Sequence, residues 1–307
     1  MSFSSDTKAE LCRSLPNKKC CCIAECYGIL LYCNTFTQRE IRITTESGEF
    51  ASLLPRLFKR AFGVQFDILP QDREKGKRTF VLYKDEKLVR ICDAFGITRE
   101  SIFAHHINLG VLEEECCRQS FLRGAFLAGG SVTDPEKRYH LEIVTDHYNV
   151  SREMFSLMLD MGLDPHESSR SGTYILYFKQ STAIDKTLTV MGAPVSAMAI
   201  MSAYIEKSLR NKVNRTVNCD TANVNKTVDA SQQQIDAIMK LKESGTLDTL
   251  NEKLRETAKM RLELPELNLT ELARAFDPPI TKSCLNHRLR KLISMADETE
   301  KTTTEEE

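Results

Sequence analysis

"RQSFLRGAFLAGGSVTDP", Arg118 to Pro135, decides the fold. It has the rhythm of a helix that ends in a glycine turn, with small residues at Gly124, Ala125 and Ala128. A second candidate helix, "CIAECYGILLYCN" from Cys22, has the same character, and aligning its Gly28 with Gly124 puts the two in register. With Ala24 on the first helix, these small residues let two helix backbones approach more closely than bulky side chains allow. The pair is expected to pack as the seam of a pseudo-twofold domain.

The segments downstream of the two helices match in order, which points to duplication. "EIRITTES" (Glu40 to Ser47) is echoed by "HLEIVTDH" (His140 to His147), each an alternating strand pattern followed by a polar turn. Amphipathic runs come next, "FASLLPRLFKRAFGV", with Pro55 as a candidate kink, and "VSREMFSLMLDMGLD". Two further short strands are expected in each copy, the second of each pair being "TFVLYKD" and "TYILYFK", before a closing helix, "EKLVRICDAFGI" or "TAIDKTLTVMGA".

Bulk properties bound the function. At 307 residues and 41% hydrophobic, the chain can bury a substantial core. The formal net charge is only −1, so nucleic-acid binding has to come from local basic patches. No apolar run approaches the roughly 20 residues that span a bilayer, and no signal peptide opens the chain, so a cytoplasmic address without membrane contact is expected. Eleven cysteines, an odd number, argue for reduced thiols. Cys20, Cys21, Cys22, Cys26 and Cys33 crowd one region, but no histidine or paired CxxC completes a tetrahedral set, and they read as buried small hydrophobes rather than a metal site. No pattern implies a cofactor.

Between Lys207 and Lys226 the chain carries Lys207, Arg210, Lys212, Arg215 and Lys226 against Asp220 alone, which makes these five candidate phosphate contacts. The density of Asn214, Asn218, Asn223 and Asn225 disfavours a long regular helix there, so residues 204–230 read as a basic polar connector.

Beyond it, Leu247, Leu250, Leu254 and Ala258 form one helical stripe. Leu269, Leu272, Ala273 and Phe276 form a second, opened by an Asn268 to Glu271 capping pair. Pro278 and Pro279 then forbid continuation, Thr281 can cap a new helix, and Leu285, Leu289, Leu292 and Ile293 give that helix a buried face. This is a helix-turn-helix pattern. Ser283, Asn286, His287 and Arg290 fall opposite the leucines, flanked by Lys282, Arg288 and Lys291, and no acid occurs between Thr281 and Leu292. Such a helix can approach phosphates without self-repulsion, which makes Thr281, Lys282, Ser283, Asn286, His287, Arg288, Arg290 and Lys291 the candidate DNA contacts. "DETEKTTTEEE", from Asp297, reads as a solvated, disordered acidic tail.

"FLRGAFLAGGSV" resembles the LAGLIDADG helix of homing endonucleases. The resemblance implies paired signature helices within a helix, strand pair, helix, strand pair, helix plan, and an acid near the foot of each signature helix to hold divalent metal. Gly129 stands at one such position here and, through the repeat register, Cys33 at the other; neither suits magnesium, which prefers oxygen donors. Asp134 and Glu142 are the nearby carboxylates. The opening "MSFSSDTKAEL", the signature, the connector "NRTVNCDTANVNKTV" and the ending "DPPITKSCLNHRLRKL" together resemble the WhiA family over nearly the whole chain, with Cys284 where glycine is common.

The implied fold is α+β: a duplicated LAGLIDADG-like αββαββα saddle with pseudo-twofold symmetry, followed by an all-α helix-turn-helix domain. The expected divisions are an N-terminal segment 1–18, repeats at 19–110 and 111–203, the connector 204–230, the helix-turn-helix domain 231–296 and the tail 297–307. The resemblance implies a nucleoid-associated, DNA-binding transcriptional regulator linked to cell division, chromosome segregation and sporulation. No catalytic residue and no nuclease activity are expected. Promoter double-stranded DNA is the implied partner, with the principal sigma factor of RNA polymerase as a second. The alternatives are a protein adaptor that contacts sigma factor without reading DNA, and a residual metal-dependent endonuclease.

Overall fold

The computed structural model describes residues 2–70, 76–98 and 105–304. The chain forms two compact units, 1–208 and 209–307.

The first unit opens with α1 (Phe3–Cys12), capped by the Ser2 hydroxyl. Then come α2 (Lys19–Leu31), β1 (Thr35–Phe36), β2 (Ile41–Thr45), α3 (Gly48–Phe62), β3 (Arg78–Leu82) and α4 (Asp85–Ala94). The second copy runs α5 (Glu115–Gly129), β4 (Gly130–Val132), β5 (Leu141–Thr145), α6 (Tyr148–Asp160), β6 (His166–Arg170), β7 (Thr173–Phe178) and α7 (Ser181–Met191). It has the full αββαββα order and a four-stranded antiparallel sheet, β4-β5-β7-β6. The first copy differs from expectation. Its sheet is β1-β2-β3, and the strand expected before β3 is reduced, among the described residues, to a bridge from Ile68 to Val81. Pro55 lies within α3 without ending it.

The two signature helices, α2 and α5, pack against each other. A Cβ on Gly28 would lie 2.1 Å from the carbonyl oxygen of Phe121, and one on Gly124 would lie 2.1 Å from that of Glu25. Only glycine admits so close a backbone approach. Ile29, Leu30, Phe121, Leu122, Ala125 and Phe126 are buried around this seam, each larger side chain contributing about 1.5–3 kcal/mol.

One ion pair breaks the symmetry. The wholly buried Glu25 lies 3.3 Å from Nε of Arg123, whose guanidinium also donates to the carbonyls of Leu11 and Ser14. These bonds tie α1 to the seam. Glu10 of α1 accepts from the backbone of Val195 and Ser196 at 2.7 and 2.9 Å and so caps the next helix, α8 (Pro194–Glu243).

α8 corrects the expected irregular connector. Residues 208–230 are helical and exposed on every side. Asparagine is only a mildly poor helix former, so a helix already running can carry several, and the Thr216 and Thr227 hydroxyls bond back to the carbonyls of Lys212 and Asn223.

The second unit contains the C-terminal part of α8, then α9 (Glu252–Glu263), α10 (Leu269–Arg274) and α11 (Lys282–Thr304). Its core joins Ala237, Ile238 and Leu241 of α8 to Leu254, Ala258, Leu272, Ala273, Leu285, Leu289, Leu292 and Ala296. The stripe expected from Leu247 to Ala258 is not one helix. A 3-10 turn covers Thr246–Thr249, and Asn251 starts α9 by accepting from the Leu254 amide at 3.0 Å. The acidic tail also departs from expectation, because α11 continues to Thr304. Extending a nucleated helix costs little per residue, and Ala, Glu, Lys and Met favour it.

Candidate nucleic-acid interface

The helix-turn-helix is assembled by local chemistry. Asn268 accepts from the amides of Thr270 and Glu271 at 3.0 and 3.1 Å, while Glu271 accepts from the Asn268 amide, a reciprocal capping box for α10. The chain turns through Asp277–Ile280 and closes when the Ile280 amide donates to the Ala273 carbonyl at 3.0 Å. Thr281 then caps α11 by accepting from the Cys284 amide at 3.2 Å.

Burying Leu285, Leu289 and Leu292 forces the opposite face of α11 outward. Ser283, His287 and Arg290 are exposed there and Asn286 is half-buried, with exposed Lys282 and Lys291 at the margins. The structure therefore brings the expected stripe together on one accessible surface.

Arg288 does not join it. Its side chain is 15% exposed and turns inward: Nη1 lies 3.4 Å from the Thr257 hydroxyl and 4.0 Å from Glu256, and the guanidinium stands over the Phe276 ring. It braces α11 against α9. Sequence reasoning also passed over Arg261, which is buried and donates to the Leu267 carbonyl at 2.8 Å, fixing the loop that positions α10. Burial lowers its pKa, and the carbonyl oxygens around it compensate the charge.

The connector residues acquire a geometry from α8. At about 3.6 residues per turn, Lys212, Arg215 and Lys226 share one side and Arg210 faces away from them. Lys207 is engaged elsewhere: it donates to the Pro135 carbonyl at 2.5 Å and stands over the Tyr139 ring.

Of the two positions where the LAGLIDADG resemblance implies an acid, Cys33 lines a cavity of about 340 Å³ together with Tyr32, Asn34, Thr44, Asp146 and His147, among others, and Gly129 follows Ala128 of the same lining. Cys33 faces the Leu30 and Thr35 carbonyls, and burial pushes its thiol up to about 12. Gly129 has no room for a side chain, since a Cβ would lie 2.6 Å from the Val144 carbonyl oxygen and 3.0 Å from Tyr32. Asp134 bonds the Glu136 amide within its own turn, and Glu142 is held by Ser131 and His140 on the sheet. Asp146, which sequence pattern does not single out, lines the cavity and accepts from Thr173. Among the described residues, no three His, Cys, Asp or Glu ligand atoms converge at this foot.

On the open side of the second sheet, Tyr177 lies between His140 and His166 with Lys179 over its ring. Period-two alternation in β7 marks Tyr177 as outward-facing, but its ring neighbours come from cross-strand register, which periodicity does not give.

Fold and site together define a LAGLIDADG-like domain followed by a helix-turn-helix domain. Residues 118–210 match the WhiA LAGLIDADG-like domain and residues 213–296 the WhiA C-terminal HTH domain. A "probable cell division protein WhiA" of Alkaliphilus oremlandii is 38% identical over 96% of this chain and 97% of its own. That of Heliobacterium modesticaldum is likewise 38% identical, over 97% and 96%. The crystal structure of full-length DUF199/WhiA from Thermatoga maritima matches with a TM-score of 0.61 at 26% identity, covering 97% of this chain and 99% of that one. The chain belongs to the WhiA family. Among the described residues, no helix is long and apolar enough to cross a membrane.

Proposed function

We propose that this protein is a DNA-binding transcription regulator that acts at promoter DNA, in the cytoplasm and at the nucleoid. It serves cell division, as the names of its relatives indicate; roles in chromosome segregation and sporulation are what the family resemblance implies. The observation that carries this reading is the outward face of α11 over residues 282–292, which holds no acid, with Ser283, Asn286, His287 and Arg290 held outward by three buried leucines. A helix of that kind fits the major groove, where side-chain amides and guanidinium groups read base edges. Lys212, Arg215 and Lys226 on one side of α8 add phosphate contacts that are blind to sequence.

The LAGLIDADG-like repeats, 19–110 and 111–203, serve binding rather than cutting. Cleavage needs oxygen ligands for a divalent ion, whereas a half-buried thiol, held protonated by its surroundings, and a glycine without side-chain room stand at the two positions. Labour is thereby divided: repeats for a second contact surface, 204–230 as basic connector, and 231–296 for sequence readout.

Salt-titrated binding of the full chain and of fragment 209–307 to promoter DNA, with magnesium and manganese present, tests this. Full-length protein should bind more tightly than the fragment, because a tethered second surface raises effective concentration, and the DNA should stay intact. Absence of DNA binding alongside association with the principal sigma factor would replace this reading with the adaptor.

A further inference from the structure

Cys20 and Cys21 occupy the second and third positions of α2, and Cys116 and Cys117 the second and third positions of α5. The register that lays Gly28 on Gly124 lays the first cysteine pair on the second. Packing of the two signature helices brings all four sulfurs within 4.8 Å of one another. Among the described residues this is the one such gathering of His, Cys, Asp or Glu ligand atoms. Sequence spacing, which offers no histidine or paired CxxC near Cys20 to Cys33, does not reveal it because the set closes across the pseudo-twofold axis. Cys21 and Cys117 are buried as expected of small hydrophobes, but Cys20 is exposed and Cys116 half-buried.

We propose that these four cysteines form a tetrathiolate site for a single thiophilic, tetrahedral divalent cation of the zinc class, clasping the two repeats together. Three observations converge on it. The first is distance. A Zn–S bond of about 2.3 Å in a tetrahedron sets sulfurs about 3.8 Å apart, so a 4.8 Å grouping closes with shifts of about 1 Å. A four-iron cluster interposes a cubane and needs its thiolates farther apart than this.

The second is electrostatics. Four thiolates and one divalent ion leave a net negative charge, and the positive ends of the α2 and α5 dipoles converge on it; Lys18 and Lys19 stand beside the α2 pair, while Glu113, Glu114 and Glu115 precede the α5 pair, so the helix ends rather than the flanking side chains supply the favourable field. The third is access. Two buried ligands supply rigidity, while the exposed Cys20 leaves an entry route from solvent. On binding, each thiol gives up its proton to solvent and its sulfur lone pair to the metal; no electron is transferred. The site lies in the first turn of both helices, about 18 Å along α2 from the Cys33 foot at 1.5 Å per residue, so it is separate from the degenerate nuclease positions.

The experiment is cobalt and zinc titration of the reduced full-length protein. Cobalt should bind stoichiometrically, with thiolate-to-metal charge transfer in the near ultraviolet and the intense visible bands of tetrahedral ligation, and zinc should displace it. Zinc should also raise the thermal midpoint, and a chelator should reverse that rise. Cys20→Ser/Cys116→Ser, which spares the two buried ligands so that the fold persists, should abolish the charge-transfer band and weaken binding by at least about 100-fold, while Cys219→Ser changes neither. The proposal is overturned if the bands never form, if they survive in the double variant, if the protein carries an iron–sulfur cluster at these cysteines, or if mass spectrometry finds the four thiols paired as disulfides in freshly isolated protein.

Discussion

Gly28 and Gly124 stand each against the other's helix: Gly28 beneath the Phe121 carbonyl and Gly124 beneath the Glu25 carbonyl, with the same 2.1 Å clearance for an added Cβ. Equal clearance at residues related by the repeat register means that α2 and α5 are held by backbone-to-backbone contact at two symmetric points. Both obstacles are backbone atoms, which cannot rotate away.

Gly28→Ala and Gly124→Ala should therefore each force the helices apart and destabilise the first unit by about 3 kcal/mol or more, read as a fall in its denaturant midpoint. Gly48→Ala is the control, because its Cβ would meet only the flexible Arg78 guanidinium at 3.5 Å; it should stay within about 0.5 kcal/mol of wild type. Equal effects at all three sites would show that the seam tolerates a methyl group.

Glu25 gives the seam a pH dependence. Burial holds its carboxyl up at about 7, with Arg123 pulling the other way, against an ordinary 4.5. A carboxyl raised on folding binds its proton more readily in the folded chain, so its stabilising contribution is complete below about 4.5 and is lost as pH rises through about 7. Glu25→Gln removes that titration. Whatever fixed offset the amide introduces, the stability difference should move in favour of the variant by roughly 3 kcal/mol between about pH 4.5 and pH 8, measured by denaturation across that range. Parallel pH profiles for the two proteins would show that Glu25 is already ionised in the folded state at low pH.

The nuclease foot can be tested by trying to rebuild it. Gly129→Asp restores the acid of the resembling nucleases, yet its Cβ would lie 2.6 Å from the Val144 carbonyl oxygen. The variant should lose stability and gain no cleavage of supercoiled DNA in magnesium or manganese, and the wild type should leave DNA uncut at concentrations where it binds. Nicking by the wild type that disappears in Asp146→Ala, Asp134→Ala or Glu142→Ala would establish a nuclease instead.

Much of this was legible because it is written in short-range pattern. The Asn268–Glu271 capping box, the Thr281 cap and the leucine face of α11 each depend on residues within a few positions of one another, and the Gly28–Gly124 register on two copies of one local pattern; each forms as expected. What was not legible depends on packing. The asparagines of 214–225 argue against helix by local propensity, a weak preference that the surrounding helix overrides. Arg288 reads as a flanking cation until Thr257, Glu256 and Phe276 of other segments claim it. The Cys20–Cys21 and Cys116–Cys117 doublets were visible, and their spacing equals that of Gly28 and Gly124, but their grouping emerges only once the helices are laid side by side.

That position of Arg288 separates the basic residues of α11 into two kinds, and the separation is measurable. Asn286 and Arg290 lie on the outward face, where Asn can pair with adenine and Arg with guanine through two hydrogen bonds each. Asn286→Ala or Arg290→Ala should cost about 1–3 kcal/mol on a cognate site and little on random DNA. Lys282 and Lys291, exposed at the margins, offer charge without base geometry, so Lys282→Ala or Lys291→Ala should weaken both kinds of DNA and reduce the salt slope by about one unit. Arg288→Ala should do neither first. It removes the brace between α11 and α9 and should lower the thermal midpoint of the second unit, by about 1–2 kcal/mol in stability, while well-folded protein at low temperature keeps most of its affinity. If Arg288→Ala instead leaves stability intact and flattens the salt slope, the guanidinium swings out to phosphate in the complex. If all these substitutions spare DNA binding but abolish association with a sigma factor, α11 is a protein-docking helix.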